Sequence, residues 1–387
     1  MRILHITTFL QGGAGRVIAS LARAQKRGGH DVRVVADAGG EPGYESYDEY
    51  VEALGGDDVP LVEVHSTFKR DLALNATAAH ALQAALGDWQ PDIVHAHAAI
   101  PAVVARLAGV AGRNIAPVIH TMHGWGTAKA AAQATADLAV LQLADAIATP
   151  SQASRQALLD LGLSADVQVI PYGVEGQPDE DPPDAEDLAW LEWLGSADER
   201  AVCIGTIGAR KNQRLLLEAL AQPPLRSATA VFVGDGDRRP LLEEARTLGV
   251  ADRIMILGYR PRASRYLACG RVLVLPSRNE GLPLSVLEAF RAGVPVVASD
   301  IPELAEALDH GNTGDLFEPE SASGLASALR SAFDRHDGTH AARLAAIFAT
   351  RYTHDRMVLA YERLYRSRTW PRTWQPRSRS PRPIARP

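Results

Sequence analysis

The chain has 387 residues, 46% apolar and 22% charged, with a formal net charge of −6. These values indicate neither disorder nor membrane spanning, and no apolar run approaches the ~18 residues of a bilayer crossing. The length exceeds what one core usually serves, so two domains of under about 200 residues each are expected.

The first strand is predicted over residues 3–7, in a segment too short and polar for a secretory leader, so a cytoplasmic location is expected. A glycine pair, Gly12 and Gly13, follows it ahead of a helix over 15–27. Glycines between a strand and a helix let backbone N–H groups approach an anionic or hydroxylated ligand, but the spacing is not the dinucleotide fingerprint. Strands follow over 32–36, 93–96, 118–121, 146–149 and 167–170, separated by helices over 72–86, 128–143 and 152–161. Residues 39–60 read as an irregular insertion of the kind that carries specificity. His95 and His97 end one strand, and His120 and His123 the next. The latter pair has no third ligand nearby and faces opposite ways, which argues against a metal.

An acidic, proline-bearing stretch then marks a linker over 174–198, separating a first domain, 1–173, from a second, 199–352. The second domain repeats the pattern with strands over 201–206, 230–233, 254–257, 272–275 and 294–298. Two similar α/β domains of this kind would face each other across a cleft at their strand ends. Between its first strand and helix stands Gly205-Thr206-Ile207-Gly208-Ala209-Arg210-Lys211. Two cations at a helix N-terminus suit a diphosphate. Gly234-Asp235-Gly236 reads as turn chemistry, and Leu257-Gly258-Tyr259-Arg260 as a strand end with a loop, where Tyr259 could stack on a base or simply pack. In Glu280-Gly281-Leu282-Pro283, followed by Glu288, one acid sits on a loop and a second on the helix that Pro283 opens and Gly293 closes. Taken alone, such an acid pair is equally a solvated loop residue and an ordinary helix-surface residue. Cys203 and Cys269, the only cysteines, sit in apolar segments without ligand spacing and are expected to be buried reduced thiols. A helix over 353–366 closes the fold, and 367–387 reads as an Arg/Pro-rich tail without the apolar residues to fold. An acidic body with a basic tail is not a nucleic-acid-binding globule.

Taken together, these motifs over residues 1 to about 365 resemble the nucleotide-sugar-dependent glycosyltransferases of family 4, of two-domain GT-B fold. The resemblance implies that Arg210 and Lys211 clamp the donor diphosphate, and that Glu280 and Glu288 contact the donor sugar and the ribose. It further implies that Gly12 and Gly13 face the donor phosphate across the cleft and that His123 contacts the donor sugar. Gly205, Tyr259, Arg260, Gly281, Leu282 and Pro283 would complete the donor and nucleotide site, and His97 would line the acceptor side. Retention of anomeric configuration is implied, with no carboxylate nucleophile at the matched positions. A metal-independent enzyme without a cofactor is expected. The expected acceptor is a saccharide or lipid-linked saccharide, and the seven arginines of 366–387 with Trp370 and Trp374 suggest contact with an anionic membrane face. A nucleotide-sugar epimerase, a sugar phosphorylase and a non-catalytic sugar-binding protein are the competing readings. The absent Gly-x-Gly-x-x-Gly argues against a dinucleotide oxidoreductase.

Overall fold

The structure, a computed structural model, describes residues 1–38, 45–64, 70–112, 115–126, 129–175, 182–335 and 338–369. The first domain runs β1 (Arg2–Ile6), α1 (Gly12–Arg27), β2 (Asp31–Asp37), α2 (Ser46–Gly56), β3 (Leu61–Val64), α3 (Leu72–Leu86), β4 (Ile93–Ala96), α4 (Ala99–Leu107), β5 (Val118–Thr121), α5 (Ala131–Leu141), β6 (Ala146–Thr149), α6 (Gln152–Asp160) and β7 (Val167–Val169). Its seven strands are all parallel, in the order β3-β2-β1-β4-β5-β6-β7.

After α7 (Ala185–Trp193), the second domain runs β8 (Arg200–Ile204), α8 (Gln213–Leu220), β9 (Thr229–Val233), α9 (Arg239–Thr247), β10 (Ile254–Gly258), β11 (Val272–Leu275), α10 (Leu284–Ala292), β12 (Val296–Ser299), α11 (Pro302–Ala307), β13 (Asp315–Phe317) and α12 (Ala322–Asp334). Its six parallel strands take the order β10-β9-β8-β11-β12-β13. α13 (Gly338–Arg351) packs on α10, and α14 (His354–Arg368) crosses back to lie against α1. In both sheets the order reverses beside the first strand, between β1 and β4 and between β8 and β11, where an open α/β sheet leaves a crevice at its strand ends. The two glycine-bearing loops, after β1 and after β8, leave from these two switch points.

Several expectations needed correction. Residues 39–60 are not wholly irregular: α2 forms because Tyr47, Tyr50 and Leu54, at helical spacing, bury one face against α1. β3 and β13 add an edge strand to each sheet; four and three residues long, they carry too short a pattern to read. Pro283 is the residue before α10 (φ −66°, ψ 127°), one place ahead of the first helical turn, whereas Gly293 closes the helix at φ 68° as expected. Cys203 is the expected buried free thiol, its pKa pushed up to about 12 by burial; Cys269 is free but partly exposed, not buried as expected. Among the described residues no helix is long and apolar enough to cross a membrane. The tail beyond residue 369, with Trp370 and Trp374, and linker residues 176–181 lie outside the described residues.

The chain passes between the domains twice, and the two passes bond to each other. Val174 donates its N–H to the carbonyl of Tyr352, and His354 donates back to that of Val174. Gly173 lies so close to this pair that a Cβ there would stand 2.2 Å from the Thr353 carbonyl oxygen. Gly173→Ala is therefore expected to force the crossings apart and cost about 1–3 kcal/mol, read as a lower midpoint in thermal denaturation.

Candidate functional site

A cavity of about 440 Å³ lies between the domains, lined from one side by Gly12, Gly13, His123 and Tyr172 and from the other by Gly205, Arg210, Lys211, Tyr259, Arg260 and Glu280 to Pro283, with Glu288. Residues far apart in sequence thus converge on one space, which holds every predicted site residue except His97.

On the first-domain side α1 starts at Gly12, whose φ of 58° is open to glycine at little cost. The residue before α1, Gln11, does not cap it, and a Cβ on Gly13 would meet nothing within 4 Å, so the backbone at Gly13 is open to a ligand. Ser46 and Tyr50 of α2 hold the loop by accepting from the Gly12 N–H and donating to its carbonyl, each at 3.0 Å.

On the opposite side the loop after β8 folds over itself. Gly205 (φ 147°) passes beneath the Lys211 side chain, and Gly234, whose Cβ would stand 2.2 Å from the Gly205 carbonyl oxygen, allows β9 to approach. Lys211 Nζ donates to Glu280 Oε1 at 2.6 Å and Arg210 Nη1 donates to Oε2 at 3.2 Å, while Ser277 Oγ donates to Oε1 at 2.6 Å. Burial alone would raise the Glu280 pKa, but Lys211 and Arg210 outweigh it and hold the carboxylate below its ordinary range. Glu280 is therefore ionised, and it ties both cations to one wall of the cavity. The Arg210 side chain stays 54% exposed beside it.

Glu288 is buried on α10 and receives Arg16 Nη1 of α1 at 2.5 Å. The pair bridges the cleft and pushes the Arg16 pKa further up, chiefly through the Glu288 charge. Arg16 was not singled out in the sequence; it lies four residues, about one helical turn, beyond Gly12, which is the signal that could have found it. Two more bonds bridge the domains: the Tyr259 hydroxyl donates to Glu49 of α2, and the Glu45 N–H donates to Asp235 Oδ1. Arg260 is committed locally. Its guanidinium makes a two-pronged bond to Asp187 at 2.7 and 3.0 Å and donates to the carbonyls of Leu257 and Tyr259, so it shapes the loop after β10.

Gly281 packs on the backbone of His123, where a Cβ would lie 2.1 Å from the His123 carbonyl oxygen. The His123 ring bonds to the Tyr172 hydroxyl through Nδ1 and to His97 Nδ1 through Nε2. His97 is only 7% exposed and stands behind His123, away from the cavity wall. A further cluster escaped the sequence reading: His5, His95 and His97 bring ring nitrogens within 4.8 Å of one another. Strand spacing hides it, because β1 and β4 become neighbours only in the folded sheet.

Comparison with known proteins agrees with this geometry. Residues 11–177 match the family described as Glycosyltransferase Family 4, and residues 198–335 match Glycosyl transferases group 1. A glycogen synthase of Mycobacterium tuberculosis is 29% identical over 92% of this chain and 91% of its own. A D-inositol 3-phosphate glycosyltransferase of Geodermatophilus obscurus is 31% identical over 70% of this chain and 66% of its own. Among solved structures, Anabaena HepE in complex with UDP-glucose superposes with a TM-score of 0.80 at 20% identity, covering 95% of this chain and all of that one. WaaG, a glycosyltransferase involved in lipopolysaccharide biosynthesis, does so with 0.70 at 18%, over the same shares. Two parallel α/β domains, a cleft between their switch points and family matches to both halves make one finding: the chain belongs to glycosyltransferase family 4 and is a glycosyltransferase of GT-B fold.

Proposed function

We propose that the protein is a retaining glycosyltransferase that moves a sugar from a nucleoside-diphosphate sugar to a hydroxyl of a saccharide or lipid-linked saccharide, without a metal. The observation that carries this reading is the pairing of Lys211 and Arg210 with the buried carboxylate of Glu280 on the cavity wall. A double cation ahead of a helix, beside backbone that approaches without side chains, suits the charge of a departing diphosphate. The anomeric C–O bond breaks with its electron pair going to the diphosphate, which the cations stabilise. An oxygen of that diphosphate takes the proton of the acceptor hydroxyl, and the acceptor oxygen bonds the anomeric carbon on the same face. Glu280 has both oxygens engaged by Lys211, Arg210 and Ser277, which supports its role as the residue that places the clamp and sugar, not as a nucleophile. Glu288 would exchange Arg16 for the ribose when donor binds. Contact of the basic tail with an anionic membrane face at the cytoplasmic side belongs to the same reading when the acceptor is lipid-linked.

The test is a donor panel headed by UDP-glucose, the donor seen in the HepE complex, with nucleotide release measured with and without added saccharide acceptors and with a chelator present. The expected result is acceptor-dependent release with one nucleotide sugar, unaffected by the chelator, and a product anomer matching that of the donor. An inverted anomer, or activity restored only by a divalent ion, would overturn the mechanism.

A further inference from the structure

Behind the cleft wall runs a buried chain of rings. The β1–β4 register sets His5 beside His95, and His97, two residues on, stacks on His5 and lies tilted against His95, with ring centroids 5.4 Å from His5 and 4.1 Å from His95. All three are buried, so each ring nitrogen needs a partner within the chain. Each has one. His5 Nε2 meets Gln25 Oε1 at 2.7 Å, and His5 Nδ1 meets His97 Nε2 at 3.0 Å. His97 Nδ1 meets His123 Nε2 at 3.0 Å, and His123 Nδ1 meets the Tyr172 hydroxyl at 2.6 Å. From the other end of Gln25, Nε2 donates to the Tyr365 hydroxyl at 3.3 Å; that hydroxyl meets His95 Nδ1 at 2.6 Å, and His95 Nε2 meets Thr121 Oγ1 at 2.7 Å.

A neutral imidazole has one donor and one acceptor, so one assignment propagates through the whole chain. Burial keeps these rings neutral, with His5 lowered to about 4 and His123 to about 3. With Gln25 Oε1 toward His5, His5 donates from Nε2 and accepts on Nδ1, and His97 and His123 are forced into the same Nε2–H form. Tyr172 then donates into His123. Turning the Gln25 amide over reverses every proton and leaves the Tyr172 hydroxyl hydrogen without an acceptor among the described residues. Among the described residues, only one orientation pairs every proton of the chain.

We propose that Gln25 and His5, neither of which lines the cavity, are positioning residues for glycosyl transfer: through His97 they hold His123 as its Nε2–H tautomer and fix the Tyr172 hydroxyl against it. With both ring nitrogens engaged, His123 serves the cleft through its backbone and ring face, not as an acid or base. The same glutamine fastens Tyr365, so α14 and the interdomain crossing that follows Tyr172 are tied to the wall of the donor site. The ring nitrogens that approach closely enough to ligate a metal are all engaged in these bonds.

The functional part of this inference rests on the transferase reading of the cleft, and the spectroscopic part does not. Imidazole ¹⁵N spectra of the full chain at pH 7 should show His5, His97 and His123 each as a single Nε2–H form, whether or not any donor turns over. Gln25→Leu should shift His123 to a mixture of tautomers and lower kcat about tenfold with donor KM within about twofold, whereas Gln25→Glu, which keeps the acceptor toward His5 and loses the donor toward Tyr365, should restore the His123 tautomer. An Nδ1–H or mixed His123 in the parent protein would overturn the proposal, and that spectrum decides even if Gln25→Leu does not fold. An unchanged His123 in a folded Gln25→Leu would overturn it too, as would stoichiometric zinc displacing the His5, His95 and His97 signals.

Discussion

Lys211→Ala is expected to lower turnover on the order of 100- to 1,000-fold while changing donor affinity far less. That is the scale on which a preorganised donor to developing negative charge acts, and it appears in kcat because the charge grows as the bond breaks. Lys211 is suited to the role because its ammonium is largely shielded, 14% exposed, and already oriented by Glu280 at 2.6 Å over the Gly205 backbone. The same substitution removes one partner of a buried carboxylate, and breaking such a pair can cost about 3–5 kcal/mol. Here Arg210 and Ser277 remain on Glu280. Turnover, donor affinity by calorimetry and the melting midpoint therefore have to be measured on one preparation. A folded variant with unchanged kcat would remove Lys211 from the clamp, and one weakened equally in donor affinity and kcat/KM would make it a ground-state ligand.

Acid should destabilise this protein well above the pH at which its carboxylates protonate. His5 and His120 titrate in the native state at about 4 and His123 at about 3, because burial disfavours their charged forms. His120 has no hydrogen-bond partner for either ring nitrogen among the described residues. In the unfolded chain these rings titrate near 6.5, so below that pH the unfolded state takes up protons that the native state refuses. The contribution of the neutral rings is complete above pH 6.5 and is lost as the pH falls toward 4. Each ring removes ~1.4 kcal/mol per pH unit across that window, so three rings over two units cost on the order of 8 kcal/mol, comparable to the whole stability of many domains. Melting midpoints between pH 7 and 4.5 should fall steeply, and His120→Met should reduce the slope by about one proton. A flat profile would mean that the rings are already protonated in the native protein.

The two-domain α/β architecture was legible because strands buried on both faces are short apolar runs and the helices between them keep their own period. The Arg210-Lys211 pair, Glu280 and the glycine loops were legible because they stand at strand-to-helix junctions, where local backbone rules place ligand chemistry. In sequence α2 looks like a loop because its three buried anchors lie among glycines and acids, and only the face of α1 gives them something to pack on. The resemblance puts His97, at a strand end, on the acceptor side. Its ring points into the stack with His5 and His95, and nothing within its own strand reveals that neighbour.

Local pattern is thus enough for most of the elements, the fold class, the family and most of the residues around the cleft, since each depends on a few neighbouring residues and the geometry of one turn. It leaves open which charges meet. That Glu280 binds Lys211 and Arg210, that Arg16 reaches Glu288 across 272 positions of chain, and that Gln25 meets His5 and Tyr365 follow from strand order and domain closure. Charge pairing and proton placement depend on distance and burial in space, and those exist only once the sheets have formed and the two domains face each other.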